Sequence, residues 1–433
     1  MALGAVLIAI PTLALNVALR ACGLLLLYFF GTELLHLTGL ASVEPRQRRT
    51  RTENVRAVQR SLFVRLAAGG AILIAVFVGS TALYLNRSSF TEQDVAEAEG
   101  PQKCNGYVEL CDRAITEVAF AATHNSQSAA DVTGFYFAEQ LHDIRSQLDS
   151  GVRGLLVKTH YGIETKKGVL TDLSRETEQE HKELVENLGP EGEAAVERLQ
   201  ASFGKPAKGD QSDAYLCHGF CELGAVFLED ALNDINSFLD DNPNEVIIIF
   251  FGDYVSPADT EDAFIRTGLI DRVYAHQPGT PWPTLRQMID LDERVLVLSE
   301  NVGNATKPDW YHDGWSIAQD TPYAFNSPAD LQSDASCALN RGTANSPLFL
   351  INNWVQSQTP SQDDAAKVNA YDTLLDRVRR CQKLRGQFPN LIAVDFSEKG
   401  DLFRVVNTIN GVGDAKPEPT ATPAATPTPA ASR

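Results

Sequence analysis

The chain has 433 residues, 44% of them hydrophobic and 21% charged, and its formal net charge is −19 at pH 7. This length suits more than one ordinary domain, and the hydrophobic fraction is large enough to form a folded core. The acidity excludes a general nucleic-acid-binding protein, because phosphate backbones are bound by basic surfaces. A local cationic pocket for a small phosphate substrate is compatible with the same net charge.

Two apolar stretches separated by a basic segment begin the chain. Residues 1–40 are the first apolar segment, residues 41–61 carry six arginines, and residues 62–85 are the second apolar stretch. About 20 apolar residues span a bilayer as a helix, and basic loops stay on the cytoplasmic side. The pattern predicts two transmembrane helices joined by a cytoplasmic loop, with everything after residue 86 outside the cytoplasm. A cleaved signal peptide is the alternative for the first stretch, although its basic residues follow the apolar run.

Strand-like and helical segments alternate after a short acidic linker, residues 86–103. Strands that alternate with amphipathic helices, such as the segment 228–240, are typical of parallel βαβ units. The predicted strands are 117–122, 154–158, 214–217, 246–251, 295–299, 348–352 and 391–396. The length of the region 104–411 fits a (β/α) barrel better than an open doubly wound sheet, with one strand not located.

Two segments depart from this alternation. Residues 162–212 are a charged helical insertion directly after the second predicted strand, at the barrel face where active sites are built. A lid and a solvated surface hairpin both fit its composition. Residues 412–433 are rich in Pro, Thr and Ala, cannot bury a core, and are predicted to be disordered.

Six of the seven cysteines follow the second apolar stretch, which is typical of disulfides formed in an oxidising compartment. The expected pairing is sequential, joining Cys104 to Cys111, Cys217 to Cys221, and Cys337 to Cys381. A zinc site is the alternative, since His218 lies between two of these cysteines. No second cysteine–histidine cluster completes a four-ligand set, so disulfides are favoured.

Histidines follow three of the predicted strands: His124 the first, His160 the second and His218 the third. The carboxyl ends of barrel strands meet at one face, so two such imidazoles can act on one substrate as base and acid. A single histidine at a strand end is more often structural. The combination favours a catalytic site.

Several motifs resemble the catalytic X domain of phosphatidylinositol-specific phospholipases C: AFAATHNSQS, QLDSGVRGLLVKTHY, LCHGFCELG and FLDDNPNEVIIIF, followed by PWPTLRQMID, QDTPYAF, NRGTANSPLFLINNW and NLIAVDF. The resemblance covers residues 104–411 and is greatest to secreted, disulfide-bearing PLC-like phosphodiesterases. It implies an α/β fold of the distorted TIM-barrel type, preceded here by the transmembrane helices. It also implies phosphodiester cleavage with His124 as general base on the attacking hydroxyl and His218 as general acid for the leaving alcohol.

Two further residues are predicted to support the two histidines. Asp395, at the end of the last predicted strand, is the candidate that orients His124 and stabilises its charged form, with a helix N-cap or a surface salt bridge as the alternative. Calcium-dependent members carry acids at the positions of Leu156 and Lys158, whereas metal-independent bacterial members have arginine at the latter. A lysine there can stabilise charge on the phosphoryl oxygens, so we expect no metal and no other cofactor.

Four further residues are candidates for substrate binding. Asn125 matches a metal ligand of calcium-dependent relatives and is expected to hydrogen-bond phosphate here. Arg153 is the second candidate, with an ion pair beneath the site as the alternative. His160 and Trp354 complete the set, with surface exposure and core packing as their respective alternatives.

The favoured function is cleavage of a phosphodiester, with a phosphoinositide or related phospholipid as substrate, outside the membrane that anchors the chain. A catalytically degenerate barrel serving as a surface binding protein is the alternative, because lysine cannot copy the bidentate contact of arginine with phosphate. A glycerophosphodiesterase-type hydrolase normally needs a metal held by acids, which the second strand lacks.

Overall fold

The computed structural model describes residues 102–175, 194–195, 197–204, 211–302, 305–357 and 359–413. The predicted transmembrane helices, the basic loop, most of the linker and nearly all of the predicted tail lie outside these ranges. So does the middle of the charged insertion. Among the described residues, no helix combines the length and the apolar character needed to cross a bilayer.

The strands of the described residues, in chain order, are β1 (Phe120–Thr123), β2 (Gly154–Thr165), β3 (Gly168–Thr171), β4 (Asp213–Cys217), β5 (Ala225–Phe227), β6 (Ile247–Asp253), β7 (Val295–Ser299), β8 (Tyr311–Asp313), β9 (Ala318–Asp320), β10 (Leu348–Asn353) and β11 (Leu391–Val394). The helices named here are α1 (Ile144–Ser150), α2 (Leu228–Asp241), α3 (Pro257–Thr267), α4 (Leu285–Asp290), α5 (Gly314–Ile317), α6 (Gln362–Val368), α7 (Tyr371–Arg385) and α8 (Leu402–Asn410).

Eight of the strands form a curled parallel sheet in the order β8-β7-β6-β2-β1-β11-β10-β9. Each adjacent pair on this path is parallel. The last strand of the chain therefore pairs with the first. The two edges, β8 and β9, are consecutive along the chain and joined through α5, and the described residues contain no pairing between them. The fold is an α/β architecture whose curled sheet is open at one seam.

Alternate residues of the sheet divide between two cores. Ile248 and Phe250 of β6 belong to an inner cluster that also takes residues from β1, β2, β7, β9, β10 and β11. Ile249 and Phe251 face the other way and pack with α2 and α3. Every residue of β6 and β7 is buried, as expected for parallel strands covered on both faces.

Helix α2 covers the outer face because its apolar residues recur at helical spacing. Its buried residues are Leu228, Ala231, Leu232, Ile235, Phe238 and Leu239. Such a stripe buries one side of a helix and leaves the opposite side polar. The amphipathic helix predicted at 228–240 is therefore present with nearly the same bounds.

The second strand is much longer than expected, because β2 has 12 residues. Its first half pairs with β1 and β6, and its second half pairs antiparallel with β3 and β4. Two parts of the prediction are therefore wrong. The segment 214–217 belongs to β4, which pairs antiparallel with the second half of β2 and is not part of the parallel sheet. Residues 162–171 are largely strand instead of helix.

Two strands of the parallel sheet were not predicted. β8 and β9 have 3 residues each, too few to display either alternation or a sustained apolar run. The remaining predicted strands coincide with β1, β2, β6, β7, β10 and β11 within about three residues at most ends.

Three disulfides join the cysteines sequentially. Cys104 is bonded to Cys111, Cys217 to Cys221, and Cys337 to Cys381. The pairing is the one expected from the sequence, and it leaves no cysteine among these six for a zinc site. The last bridge ties the segment before β10 to α7, across the largest sequence separation of the three, 44 residues.

The close approach of β1 and β2 depends on Gly154. A Cβ atom at this position would lie 2.5 Å from Leu391 Cδ2 and 2.7 Å from Ala122 Cβ.

We expect Gly154→Ala to lower the free energy of unfolding by about 1–3 kcal/mol, as overpacked cores do. The measurement is urea denaturation. Because the new methyl group clashes with Leu391, a Gly154→Ala/Leu391→Ala double variant should lose less stability than the sum of the single variants. Strict additivity would contradict this account.

Candidate active site

A cavity of about 160 Å³ opens near the carboxyl ends of β1, β6, β7 and β10 and beside the part of β2 that pairs with β6. His124 and Asn125 line it directly after β1, Lys158 lines it from β2, and Trp354 lines it after β10. The parallel sheet brings these residues together because its strands end at the same edge. Four predicted site residues thus share one cavity.

His124 is held in place by the strand next to its own. Thr123 pairs with Val394 in the β1–β11 register, and the backbone N–H of His124 donates to Val394 O at 3.0 Å. Asp395 follows Val394, and its Oδ1 lies 2.8 Å from His124 Nδ1. The imidazole also stacks on Trp354, with ring centroids 3.7 Å apart and planes 2° from parallel. The carboxylate favours the tautomer with hydrogen on Nδ1, which leaves the lone pair on Nε2.

Burial disfavours charge on both members of this pair. Burial lowers the pKa of His124 to about 4, an effect that Glu139 opposes and Lys158 reinforces. Burial also raises the pKa of Asp395 well above its usual range. His124 is therefore neutral near pH 7, the form that a general base requires. The Nδ2 of Asn125 lies 3.0 Å from Nε2 and can donate to its lone pair.

His218 reaches the same region from outside the parallel sheet. β4 runs antiparallel to β2, and the pair Thr159–Leu216 brings the end of β4 level with Lys158. The Cys217–Cys221 bridge then closes a short loop that contains His218. The imidazole is 37% exposed and does not line the cavity formed by the described residues. Its partial burial lowers the pKa of His218, and the positive charge of Lys158 lowers it further.

Glu139 connects the two histidines and was missed by the sequence prediction. Its Oε1 lies 3.8 Å from His124 Nδ1, and its Oε2 lies 3.6 Å from His218 Nδ1. Burial raises the pKa of Glu139 to about 7. The only signal in the sequence is one acid in the aromatic run FYFAEQL between β1 and α1. That is weak, because a single acid in a chain of net charge −19 is unremarkable.

Lys158 occupies the centre of the site's titratable groups. It lies opposite Gly252 in the β2–β6 register, and a Cβ at Gly252 would be 3.1 Å from Lys158 Cγ. Glycine on β6 therefore makes room for the lysine side chain. No hydrogen bond or ion pair joins its ammonium to another residue of the described ranges. Its charge nevertheless contributes to the lowered pKa of His124, His160 and His218.

The far wall of the cavity carries a second cation, Arg341, that the sequence prediction also missed. Its guanidinium donates to Asp320 Oδ2 at 2.6 Å and to Glu300 Oε1 at 3.2 Å. The guanidinium carbon lies 4.0 Å from the centre of the Trp315 ring, within cation–π distance. Burial raises the pKa of Glu300, which lines the cavity together with Arg341. This wall offers both charges and hydrogen-bonding groups to a polar ligand.

The remaining predicted residues divide between the site and the fold. His160 is buried two residues after Lys158 and stacks on Tyr254, which lines the cavity, at 4.5 Å between ring centroids. Its two ring nitrogens have no hydrogen-bond partner among the described residues. Arg153 is not brought to the cavity: its Nε donates to Glu245 at 2.7 Å at the start of β2. The ion pair beneath the site, the alternative weighed from the sequence, describes Arg153 better than substrate binding.

One cluster of the described residues combines potential metal ligands. His124, Glu139 and Asp395 each offer a ligand atom, and these atoms lie within 4.8 Å of one another. His124 Nδ1 already bonds Asp395, so a cation there would have to break that bond. Calcium prefers several carboxylate and carbonyl oxygens, whereas the cavity positions on β2 present the alkyl group of Leu156 and the ammonium of Lys158. The β2 positions therefore do not fit a calcium site.

A protein-family model described as PI-PLC X 1 matches residues 193–410. The chain belongs to this family. The matched segment includes His218 and Asp395, whereas His124, Glu139 and Lys158 precede it.

Similar proteins extend beyond that segment. The PI-PLC X domain-containing protein 1 of Arthroderma benhamiae is 24% identical over 327 residues, which are 71% of this chain and 90% of the relative. An uncharacterized secreted protein of the same organism is 22% identical over 373 residues, 80% of this chain and 73% of the relative. Among solved structures, the phosphatidylinositol-specific phospholipase C from Listeria monocytogenes matches with a TM-score of 0.41 and 18% identity, covering 70% of this chain and 94% of that chain.

The disulfide around His218 should matter more for turnover than for folding. The Cys217–Cys221 bridge restrains the loop that carries His218, which the sequence predicts to be the general acid, and small displacements of a reacting group are costly. We expect the double variant Cys217→Ser/Cys221→Ser to lower kcat on a phosphodiester substrate by about 10- to 100-fold. The matched control is Cys104→Ser/Cys111→Ser, which removes a bridge in the inner core. Equal kcat values for the two double variants, each checked for folding by its melting temperature, would count against this role.

Proposed function

We propose that this chain cleaves phosphodiester bonds by acid–base chemistry shared between His124 and His218. One observation carries the proposal: a neutral imidazole oriented by Asp395 faces the same cavity as the ammonium of Lys158. A base with a lone pair that substrate can reach once Asn125 moves, and a cation for the phosphoryl oxygens, are what phosphodiester cleavage needs. Membership of the PI-PLC X 1 family supports the same reaction class.

The proposed reaction begins with a hydroxyl group whose proton is taken by His124 Nε2. The Asn125 amide, which lies 3.0 Å from Nε2, moves aside and can bond a phosphoryl oxygen instead. Asp395 stabilises the imidazolium that forms. The oxygen of the leaving alcohol receives a proton from His218. Each proton transfer contributes about 10²–10⁴-fold to the rate.

Lys158 is proposed to replace a divalent cation. Lys158 lines the cavity, and Gly252 gives its side chain room. A fixed positive charge stabilises the charge that develops on phosphoryl oxygens without reorganisation during the reaction. The reaction is therefore proposed to be metal-independent.

The proposed substrate is a phosphoinositide or a related phospholipid. Two features of the cavity support a polar head group attached to phosphate. Arg341, Glu300 and Asn352 supply donors and acceptors, and Tyr323 and Trp354 supply aromatic surface. One relative is named as a PI-PLC X domain-containing protein, which agrees with this class. For an inositol lipid, the attacking hydroxyl belongs to the ring itself and the first product is a cyclic phosphate.

The domain is proposed to be a distorted TIM barrel outside the cytoplasm, anchored by the two apolar segments that precede it. The order of the eight parallel strands supports the barrel. Three disulfides support an oxidising compartment, and one relative is named as a secreted protein. An anchored enzyme would meet a lipid substrate in the plane of its own membrane.

The decisive experiment measures turnover of the full-length chain in detergent micelles on an inositol phospholipid and on a soluble phosphodiester. We expect His124→Ala and His218→Ala each to lower kcat by at least about 10²-fold, because each removes one proton transfer. The matched control is His142→Ala, since His142 pairs with Asp131 at the surface. Turnover should persist in a chelator. Absence of turnover by the folded chain on both substrates would overturn the proposal, and strict calcium dependence would overturn metal independence.

Lys158 has a separate signature in the pH dependence. Lys158→Met removes the positive charge, and we expect kcat to fall by about 10²–10³-fold. Since Lys158 lowers the pKa of His124, its removal should also move the acid limb of the pH–rate profile to higher pH. Lys158→Arg should keep most of the electrostatic effect. The control is the surface variant Lys367→Met, and an unchanged acid limb in Lys158→Met would count against the assignment.

A further inference from the structure

A buried carboxylate lies between the two imidazoles. Glu139 Oε1 is 3.8 Å from His124 Nδ1, and Glu139 Oε2 is 3.6 Å from His218 Nδ1. The carboxylate does not line the cavity formed by the described residues, so it acts through the histidines instead of touching substrate. Its Oε2 is buried and has no hydrogen-bond partner among the described residues. A buried polar atom without a hydrogen-bond partner destabilises the fold. The unpaired Oε2 of Glu139, which faces His218, therefore calls for an explanation.

Glu139 is held by the backbone on both sides. Its N–H donates to Ser128 O at 2.8 Å, and its carbonyl accepts from the N–H of Phe396 at 2.7 Å. Phe396 directly follows Asp395, so the segment that orients His124 also fixes Glu139. These bonds fix the backbone position from which the Glu139 side chain reaches the two histidines.

We propose that Glu139 is a positioning and proton-holding residue shared by the two histidines, which supplies His218 with the proton that passes to the leaving group. This inference rests on the proposed phosphodiesterase function. It answers a difficulty in that function, because burial and Lys158 keep His218 neutral in the free site. A neutral imidazole can still donate from Nε2 if Nδ1 receives another proton at the same time.

The proton transfers balance as follows. The attacking oxygen forms a bond to phosphorus and gives its proton to His124 Nε2, while the bond from phosphorus to the leaving oxygen breaks. The leaving oxygen takes the proton from His218 Nε2, and His218 Nδ1 takes the proton from Glu139 Oε2. Glu139 ends as a carboxylate beside the imidazolium of His124. Attack of water on a cyclic phosphate reverses every transfer and restores the starting state.

The electrostatic surroundings of Glu139 fit this cycle. Burial raises the pKa of Glu139 to about 7, Asp395 raises it further, and His124 and Lys158 lower it. Both forms of the acid are therefore accessible near neutral pH. The distance of 3.6 Å to His218 must shorten by about 0.5 Å for direct transfer, and catalytic hydrogen bonds are often long before substrate binds.

We expect a pH–rate profile in which activity falls at both low and high pH, with one residue responsible for each fall. The value of kcat/KM should fall below a pH of about 4, where His124 becomes protonated, and above a pH of about 7, where Glu139 loses its proton. Glu139→Gln keeps the shape but holds no transferable proton. We expect it to lower kcat/KM at pH 6 by about 10²-fold and to abolish the alkaline limb near pH 7. The matched control is Glu245→Gln, which removes a carboxylate that pairs with Arg153 away from the cavity.

A second measurement is independent of turnover. In the full-length chain with ¹⁵N-labelled histidine, NMR signals of both His124 and His218 should shift together as Glu139 titrates near pH 7. Both shifts should disappear in Glu139→Gln and persist in Glu245→Gln. A shift of only one ring, or of neither, overturns the shared carboxylate. Wild-type protein without turnover overturns the proposed function, whereas an active Glu139→Gln variant with an unchanged alkaline limb overturns only the role of Glu139.

Discussion

The parallel pairing of β1 with β11 is the interaction on which the rest of the molecule depends. It joins the strands that come first and last along the described chain, and its register sets Thr123 against Val394. The next residue on each strand is then His124 or Asp395, whose side chains meet at 2.8 Å. One backbone register therefore both joins the strands and brings together the pair that we propose to be catalytic. A shift by one residue would turn the two side chains to opposite faces.

Charge in this site is controlled mainly by burial. Desolvation lowers the pKa of His124 and raises that of Asp395 and Glu139. The ammonium of Lys158 acts in the same direction on the imidazoles, so the free site holds neutral histidines beside a fixed cation. An anionic phosphate would be the missing counter-charge. An anionic ligand would offset the positive charge of Lys158 and so raise the pKa of the neighbouring histidines. Binding of the ligand would therefore be coupled to their protonation.

The sequence predicted the parts of the fold that have a local signal. Long apolar runs such as β6 and β7 were located because strands buried on both faces need them, and α2 because its apolar residues recur at helical spacing. β8 and β9 were missed because three residues carry no period. The return of β4 along β2 could not be predicted, since antiparallel pairing at that point depends on the length of β2.

The candidate site shows the same division. His124, Lys158 and Asp395 follow motifs and were named from the sequence, and the structure brings them together. Glu139 was missed because it lies in a loop outside the quoted motifs, and Arg341 was missed although it lies within one of them, because nothing in that motif shows that its side chain reaches the cavity. Arg153 was named as a binding residue although it lies just before β2 and pairs with Glu245 away from the cavity. The motifs identified residues of reactive types. The structure was needed to tell which of them line the cavity and which pair with other residues of the fold.

The extension of β2 beyond the parallel sheet has an evolutionary consequence. Base and cation belong to the parallel strands, whereas His218 belongs to an arm made of β3, β4 and β5 that pairs only with β2. The connection between β3 and β4 can change in length at little entropic cost, because closing a longer loop costs only slightly more. The part of the candidate site that carries His218 is thus a separable module. Relatives could diversify that arm while the residues on the parallel strands stay unaltered.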